Sequence, residues 1–284
     1  MRTVGIEVDP SNEAQARAWD GDEGGYWAAN ADWFEGGLAA YRAPLLASAA
    51  IRAGESVLDL GCGTGPTTRD AARAAAPGQA VGIDLSSQMI AEAGRRAGAE
   101  GLANTRFVQG DAQIHPFPEA AFDVIISRTA ASFFGDPVAA LANAGRALKP
   151  GGRLVLMTWQ APPANEWLVE WSTALTGGRG LPAPPPGAPS PFALADRARL
   201  RDVVAAAGYV GVGIDPLAEP FVAGRNPDEA FRSIVGLVSW MSEGLSDEER
   251  ARAHDALRAS LEAHASPAGV VYRSGMWVAT ARRP

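Results

Sequence analysis

The 284-residue sequence is poor in cysteine, in histidine and in positive charge. Its one cysteine, Cys62, cannot form an internal disulfide and fits a reducing compartment. The 32 acidic residues outnumber the 25 lysines and arginines, and a formal net charge of −7 argues against nucleic acid or an anionic membrane as the main partner. The sequence has no Cys/His cluster of the kind that binds zinc, so no metal site is predicted.

Long apolar runs are scarce as well. No stretch approaches the ~20 apolar residues that a membrane-spanning helix needs. No apolar signal core follows the polar first residues, among them Glu7, Asp9 and Glu13. We therefore expect a cytoplasmic protein without a membrane partner, whose hydrophobic content of 47% is ample for a large buried core.

Short apolar strands alternate with helical patterns through the middle of the sequence. Five strands are predicted there, at Ser56–Leu60, Ala80–Leu85, Thr105–Gln109, Phe122–Ser127 and Arg153–Trp159. This alternation indicates βαβ units, and hence a parallel sheet with helices on both faces. Two later strands, Val210–Val222 and Val271–Ala281, bring the predicted total to seven, with helical insertions among the last three.

Three regions follow from this pattern: an N-terminal helical lid at 1–52, a ligand-binding core at 53–160, and the rest of the sheet with helical substrate-cap insertions at 161–284. The lid is rich in aromatic residues, and its glycines predict two or three short helices joined by tight turns. An ordinary helical extension that covers one face of the core is the alternative. The proline-rich segment Leu181–Pro191 is predicted to be a surface connection.

The strongest functional signal is the segment Val57–Gly65, in which the acidic Asp59 precedes three closely spaced glycines. A glycine-rich turn between a strand and a helix lets a ligand approach the backbone closely. Dinucleotide sites usually carry G-x-G-x-x-G, which places pyrophosphate against a helix N-terminus. Here the spacing is tighter and an acid comes first. This pattern suits the cationic amino-acid end of S-adenosylmethionine (SAM) better than it suits pyrophosphate.

Acidic residues also follow the second and third predicted strands. Asp84 ends strand two, where a carboxylate can accept hydrogen bonds from both ribose hydroxyls, and Asp111 after strand three can bond the adenine amino group. Either acid taken alone is more simply a helix cap or a turn former. Three strand-end acids in order after one glycine turn favour an adenosine site.

The segment from about Gly54 to Trp159 resembles the class I SAM-dependent methyltransferases, especially the ubiquinone/menaquinone-biosynthesis-type and bacterial small-molecule branch. The stretches that carry the resemblance are Val57–Gly65, Gly82–Met89, Gly110–Ala112, Phe117–Pro118, Phe122–Arg128 and Leu148–Gly152. The resemblance implies an α/β fold with a Rossmann-like, seven-stranded and mostly parallel sheet, whose last strand is antiparallel, together with a helical lid and insertions.

The resemblance also implies a SAM site. The predicted cofactor residues are Tyr26, Trp27, Asp59, Gly61, Cys62, Gly63, Thr67, Asp84, Leu85, Met89, Asp111, Ala112, Ser127 and Arg128. In this assignment the glycine turn lines the methionine portion of SAM, Asp84 binds the ribose, and Asp111 with Ala112 holds the adenine edge. Ser127 and Arg128 would lie beside the methionine end. An aromatic residue of the lid, Tyr26 or Trp27, would contact the SAM carboxylate.

One position departs from the family pattern. Pro66 stands where a small polar residue is expected after the glycines, and it removes a backbone donor. The methionine end is therefore expected to depend more on Thr64, Thr67 or Thr68.

Methyl transfer from a sulfonium is an in-line displacement that releases a neutral thioether, so a base is needed only where the acceptor requires one. His115 is the best candidate for that base, and packing of its loop is the simpler role. Phe133 and Trp159 are the predicted acceptor contacts. The run Ser127–Ala130 replaces the Asn-Pro-Pro-aromatic or Asp-Pro-Pro-aromatic sequence of amino-methylating DNA and RNA enzymes, which argues against that class.

The predicted function is transfer of a methyl group from SAM to an oxygen, nitrogen or carbon atom of a small, partly hydrophobic molecule, by a monomer or a homodimer. An NAD-dependent dehydrogenase is disfavoured by the glycine spacing. A SAM-binding enzyme that catalyses a cyclisation or decarboxylation could keep the same motifs. A peptide acceptor also stays open, whereas the acidic composition counts against RNA.

Overall fold

The computed structural model describes residues 6–180, 185 and 187–284, so the predicted connection Leu181–Pro191 lies partly outside the described residues. A short 3-10 turn, Pro10–Asn12, opens the described chain. Four short helices follow it: α1 (Glu13–Trp19), α2 (Asp22–Ala29), α3 (Ala31–Gly37) and α4 (Arg42–Ala49). The N-terminal region therefore holds four short helices, whereas two or three were predicted.

Strands and helices then alternate through the core. The elements are β1 (Ser56–Leu60), α5 (Pro66–Ala75), β2 (Gln79–Asp84), α6 (Ser87–Ala99), β3 (Thr105–Gln109), β4 (Phe122–Arg128), α7 (Pro137–Ala147) and β5 (Leu148–Trp159). The C-terminal part contributes α8 (Glu166–Leu175), α9 (Arg197–Ala206), β6 (Val210–Gly224), α10 (Pro227–Leu237), α11 (Asp247–Ala263), β7 (Ala265–Ser266) and β8 (Gly269–Arg282).

Local sequence signals explain several of these boundaries. The hydroxyl of Ser86 accepts a hydrogen bond from the Met89 N–H and caps α6, and Pro66 occupies the first turn of α5, where no N–H is needed. A capping box between Ser246 and Glu249 begins α11. The segment Lys149–Gly152, which lies outside the predicted strand Arg153–Trp159, belongs to the beginning of β5.

The sheet has the order β3-β2-β1-β4-β5-β8-β6, and the two-residue β7 pairs with β8 as an eighth strand. Neighbours from β3 to β5 are parallel, whereas β8 runs antiparallel to both β5 and β6. The predicted Rossmann-like α/β fold, with its antiparallel last strand, is thereby confirmed. Strand order reverses between β1 and β4, and in such sheets the crevice at that point, beyond the carboxyl ends of the strands, is the usual ligand site.

Apolar clusters pack on both faces of this sheet because alternate strand residues point to opposite sides. Val57, Val124 and Val155 pack with α4, α5 and α8 on one face. Leu58 and Ile125 pack with α7 and α9 on the other face. Both clusters are nearly free of exposed surface, which fixes the strand ends that form the crevice.

The N-terminal helices also contact the C-terminal part of the chain. The Trp33 indole N–H donates to the Ala223 carbonyl at 2.6 Å, and the Tyr26 hydroxyl donates to the Ser233 carbonyl at 2.9 Å. The Tyr41 hydroxyl lies 2.6 Å from Ser274 Oγ. These bonds hold the N-terminal helices against β6, α10 and β8. The three predicted regions and their boundaries stay a prediction.

Among the residues that the structure describes, no helix combines the length and the apolar character that crossing a membrane requires.

The glycines of the N-terminal helices serve packing more than helix termination. Gly24 lies inside α2, and a Cβ there would stand 1.8 Å from the Trp19 carbonyl oxygen and 2.5 Å from Ser86 Oγ. Of the glycines predicted to interrupt the helices, Gly21 lies in the turn between α1 and α2, and Gly37 is the last residue of α3. Gly24, Gly25 and Gly36 lie inside helices, so the prediction was wrong for these three. The missing side chain at Gly24 lets α2 lie directly against the start of α6.

Gly24→Ala is expected to displace α2 from α6 without removing any core side chain. The substitution should expose α1 and α2 to protease and lower the free energy of unfolding by about 1–3 kcal/mol. Gly36→Ala is the matched control, because a Cβ at Gly36 has no neighbour within 4 Å. Limited proteolysis and urea unfolding measure both effects. Equal cleavage rates for the two variants would contradict the close packing of α2 on α6.

Candidate functional site

A cavity lies at the carboxyl ends of β1, β2, β3 and β4, beneath the N-terminal helices. It encloses about 960 Å³ including its opening, which is within the range of small-molecule sites. The residues that line it are Asn12, Trp19, Trp27, Phe34, Glu35, Leu38, Gly61, Cys62, Gly63, Thr64, Pro66, Thr67, Ile83, Asp84, Leu85, Met89, Gly110, Asp111, Ala112, Arg128, Thr129, Ala130, Phe133 and Phe134.

The turn after β1 forms the floor of this cavity. The backbone N–H groups of Gly61 and Cys62 both donate to the Ile83 carbonyl, at 2.8 and 3.0 Å, which ties the turn to β2. Gly61 has a φ of +66°, and a Cβ there would stand 2.1 Å from the Cβ of Ala130. Only glycine satisfies both conditions, so the motif brings bare backbone to the cavity.

Asp84, at the end of β2, holds the turn from the other side. One carboxylate oxygen accepts from the Gly63 N–H at 2.8 Å and the other from the Ser86 N–H at 3.0 Å. Burial raises the pKa of Asp84, and these hydrogen bonds oppose the rise. Each oxygen has a second lone pair, so the carboxylate can still accept hydrogen bonds from a ligand in the cavity.

Asp111, beyond β3, is buried and meets the beginning of the described chain. Its carboxylate accepts from the Asp9 N–H at 3.0 Å, the Asn12 amide at 2.9 Å and the Gln113 N–H at 2.9 Å. The loop after β3, which is predicted to hold the adenine edge, is therefore hydrogen-bonded to the N-terminal segment.

Charge in the cavity is unevenly distributed. Arg128, at the end of β4, is the one arginine or lysine among the residues found to line it, beside the carboxylates of Glu35, Asp84 and Asp111. Burial lowers the pKa of Arg128, and its guanidinium donates to the Leu38 carbonyl at 3.3 Å. Glu35 accepts hydrogen bonds from the Thr64 hydroxyl at 3.1 Å and from Arg69 at 2.7 Å.

Aromatic rings close the cavity from the side of the N-terminal helices. Trp27 and Phe34 stack with ring centroids 3.4 Å apart and planes 7° from parallel. Trp19 meets Trp27 edge-on at 5.9 Å and Phe133 edge-on at 5.2 Å. This wall covers the floor with apolar surface and limits the access of water.

Most residues predicted to hold the cofactor come together here. Eleven of the fourteen line the cavity: Trp27, Gly61, Cys62, Gly63, Thr67, Asp84, Leu85, Met89, Asp111, Ala112 and Arg128. Phe133, a predicted acceptor contact, lines it as well. Their individual roles in binding stay predictions.

Three predicted cofactor residues do not line the cavity. The hydroxyl of Tyr26 bonds the Ser233 carbonyl, and the hydroxyl of Ser127 donates to the Leu60 carbonyl at 2.8 Å. Asp59 is 1% exposed, and its carboxylate accepts from the Thr68 hydroxyl at 2.7 Å. All three connect elements around the site.

His115 and Trp159 also lie off the cavity wall. The His115 ring packs edge-on against Phe117 at 4.8 Å, and burial, followed by the nearby charge of Arg106, lowers its pKa. Trp159 is 6% exposed and packs between Tyr41 and Trp167. Neither position supports the predicted base or acceptor contact, which stay predictions.

Several lining residues were missed from the sequence. Asn12, Phe34, Glu35, Leu38 and Thr129 had no predicted role. The spacing of Phe34 and Leu38, four residues apart, is the helical signal that could have identified one lining face. Nothing in the sequence marks Thr129, whose φ of +67° is a strained conformation for a β-branched residue.

Comparison with known proteins identifies relatives of the central region. Residues 57–152 match the family model of a methyltransferase domain. The uncharacterized methyltransferase YcgJ of Bacillus subtilis is 38% identical over 120 residues, which are 42% of this chain and 46% of the relative. A demethylmenaquinone methyltransferase of Thermus thermophilus is 38% identical over 112 residues, 39% of this chain and 50% of the relative. The matches thus span at most half the length of these relatives.

Solved structures match over a longer range at lower identity. The crystal structure of YcgJ from Bacillus subtilis has a TM-score of 0.55 at 20% identity, and the match covers 85% of this chain and 97% of that one. The structure of the [4+2]-cyclase SpnF has a TM-score of 0.55 at 22% identity, and the match covers 99% of each chain. At these identities the likeness supports the fold alone.

Asp59 is expected to make the stability of the protein depend on pH. Burial raises its pKa to about 7, far above that of an unfolded aspartate. Between pH 4 and 7 the folded protein therefore holds a proton that the unfolded chain has released, so stability is lost as the pH rises. From pH 5 to pH 8 the free energy of unfolding of the wild type should fall by roughly 2–3 kcal/mol more than that of Asp59→Asn. Urea unfolding at both pH values tests this, and equal changes would mean that Asp59 is ionised when folded.

Proposed function

We propose that this chain, whose residues 57–152 form a class I methyltransferase domain, transfers the methyl group of SAM to a small molecule. The observation that carries the proposal is the convergence of the glycine turn, Asp84, Asp111 and Arg128, from four strand ends, on one cavity. Relatives that are named demethylmenaquinone methyltransferases and nocamycin O-methyltransferase support a small organic acceptor. The single, buried Cys62 supports a cytoplasmic setting.

The residues of the cavity fit SAM by their chemistry. The glycine turn offers bare backbone to the methionine portion, and Asp84 offers carboxylate oxygens to the ribose hydroxyls. Arg128 would pair with the carboxylate of the amino-acid end, because it is the one positive side chain among the lining residues described. Asp111 would accept from the adenine amino group beside Met89 and Leu85.

Bound SAM supplies an activated methyl group on a sulfonium that leaves as a neutral thioether. The residues of this chain orient the acceptor for in-line attack and keep water away. Positioning alone can supply roughly 7–11 kcal/mol of the barrier reduction. The aromatic wall of Trp19, Trp27, Phe34 and Phe133 would provide an apolar surround for the acceptor and exclude water from it.

The cavity favours acceptors that need little help from a base. No histidine occurs among the lining residues in the described part of the chain. The carboxylates of Glu35, Asp84 and Asp111 already accept two or three hydrogen bonds each from the protein. A neutral amine, or a hydroxyl acidic enough to ionise in solution, fits this environment.

Calorimetric titration of the purified protein with S-adenosylhomocysteine tests the cofactor assignment. One-to-one binding, with NAD giving no heat, is expected. Absence of binding by the folded protein would overturn the proposal.

Release of S-adenosylhomocysteine from SAM on addition of candidate amines and phenols then tests transfer. Binding without release in the presence of each candidate acceptor would favour the alternative of a SAM-binding enzyme that catalyses a cyclisation; SpnF, a structural neighbour, is a [4+2]-cyclase.

Asp84→Asn is expected to weaken binding of S-adenosylhomocysteine by about 1–3 kcal/mol, because a charge-assisted acceptor for the ribose is lost. Asp123→Asn is the matched control. Asp123 accepts from Ser56 N–H and Lys149 at the opposite end of β4, so this variant should bind normally. Calorimetry measures the affinity of both folded variants for S-adenosylhomocysteine. Unchanged affinity of Asp84→Asn would show that Asp84 does not contact the ribose.

Arg128→Gln should lower the affinity for ligands that carry the amino-acid end and leave the affinity for ligands without it unchanged. Loss of the pairing with the carboxylate is expected to weaken S-adenosylhomocysteine about tenfold or more, whereas 5′-methylthioadenosine, which lacks the amino-acid end, should bind as it does to the wild type. Glutamine can keep the hydrogen bond to the Leu38 carbonyl. An equal loss for both ligands would show that Arg128 supports the cavity without contacting the carboxylate.

A further inference from the structure

Asn12 is a buried polar residue that joins three parts of the molecule. It is 1% exposed and lies in the 3-10 turn at the start of the described chain. Its amide nitrogen donates to Asp111 Oδ1 at 2.9 Å, and its amide oxygen accepts from the Gly135 N–H at 3.0 Å. The same side chain thus holds the loop after β3 and the loop after β4, which carries Phe133, against the N-terminal segment.

Neighbouring bonds reinforce this junction. The Asp9 N–H donates to Asp111 Oδ2 at 3.0 Å, and the Gln113 amide donates to Ser11 Oγ at 2.9 Å. The carbonyl oxygen of the Gln113 side chain accepts from the Asp136 N–H at 2.9 Å. The segment Asp9–Asn12 is therefore bonded to both loops by side chains and backbone together.

Hydrogen bonds within the protein occupy most, but not all, of the acceptor positions on the Asp111 carboxylate. A carboxylate has about four acceptor positions, two on each oxygen. Oδ1 accepts from Asn12 and from the Gln113 N–H, and Oδ2 accepts from the Asp9 N–H. One position on Oδ2 is left, and Asp111 lines the cavity.

We propose that Asn12 and the Asp9 N–H are positioning groups of the nucleobase subsite, which hold Asp111 so that its remaining lone pair accepts from the 6-amino group of adenine. This inference rests on the proposed function. It makes the Asp9–Asn12 segment a specificity element for a 6-aminopurine. A 6-oxopurine would place an oxygen against the carboxylate and is rejected.

The coupling between segment and nucleobase is reciprocal. Any free energy by which the ordered segment favours adenine must equally favour the ordered segment when adenine is bound. S-adenosylhomocysteine should therefore slow hydrogen exchange of the amides at 11 and 12, and S-inosylhomocysteine, which carries a 6-oxopurine, should not.

The first test compares the affinities of S-adenosylhomocysteine and S-inosylhomocysteine by calorimetry. The wild type should prefer the adenosyl ligand about tenfold or more, as expected for a hydrogen bond to a charged acceptor. In Asn12→Ala the preference should fall to about threefold or less, because Asp111 loses the donor that fixes its orientation. Asn30→Ala is the matched control, because the side-chain amide of Asn30 donates to the Tyr26 carbonyl within the N-terminal helices, and the variant should keep the wild-type preference.

A second pair of variants isolates the backbone donor. Asp9 has a φ of −63°, which proline also adopts, so Asp9→Pro keeps the backbone direction, but it removes the N–H and places the ring Cδ against Asp111 Oδ2. Asp9→Ala loses the same side chain and its cap to Ser11 but keeps the N–H. The preference for the adenosyl ligand should be lower in Asp9→Pro than in Asp9→Ala. This comparison stands even where Asn12→Ala does not fold.

The outcomes are distinct. A wild type that binds both ligands equally would overturn the inference and leave the proposed function intact. Variants that weaken both ligands by the same factor would reduce Asn12 and Asp9 to structural roles and overturn it too. A folded wild type that binds neither ligand would overturn the proposed function along with it.

Discussion

The glycine turn after β1 is the constraint on which the rest of the site depends. It must pass close enough to β2 for two of its N–H groups to share the Ile83 carbonyl, and close enough to β4 that Ala130 occupies the space of a side chain at Gly61. Those contacts fix the spacing of three strand ends at once. Because the floor is backbone, the chemical character of the site comes from the side chains at the ends of the neighbouring strands.

Two of those strand-end side chains, Asp84 and Asp111, both hold neighbouring backbone in place and line the cavity. Asp84 satisfies the Gly63 and Ser86 N–H groups, and Asp111 satisfies the N-terminal segment, while each carboxylate also faces the cavity. A buried carboxylate is costly unless hydrogen-bonded, so the donors that satisfy each acid also orient it. The hydrogen bonds that support the structure would therefore also orient both acids toward the proposed ligand, and we expect any substitution of these acids to affect both.

The sequence was most informative where structure is set locally. Buried parallel strands appear as short apolar runs, so the predicted ranges of β1 and β3 coincide with those observed, and caps such as Ser246 were identifiable. The helical glycines of α2 and the burial of Trp159 depend on contacts with residues distant in sequence, which composition and spacing do not encode. Tyr26 illustrates the difference: it lies next to Trp27, a lining residue, but the turn of the helix directs its hydroxyl to α10.

The N-terminal region contacts each of the three loops that follow β1, β2 and β3 and line the cavity. Glu35 bonds Thr64 of the glycine turn, Asp20 accepts from the Ser87 N–H after β2, and Asn12 bonds Asp111 after β3. Each bond joins a lid side chain or lid acceptor to a loop that would also hold part of SAM. Because the aromatic wall covers the floor, entry of a ligand the size of SAM would require these bonds to open, and a ligand that orders the three loops would favour their closure. In the proposed function, cofactor binding and enclosure of the acceptor would then be one coupled step, which suits a reaction whose acceleration comes from positioning and the exclusion of water.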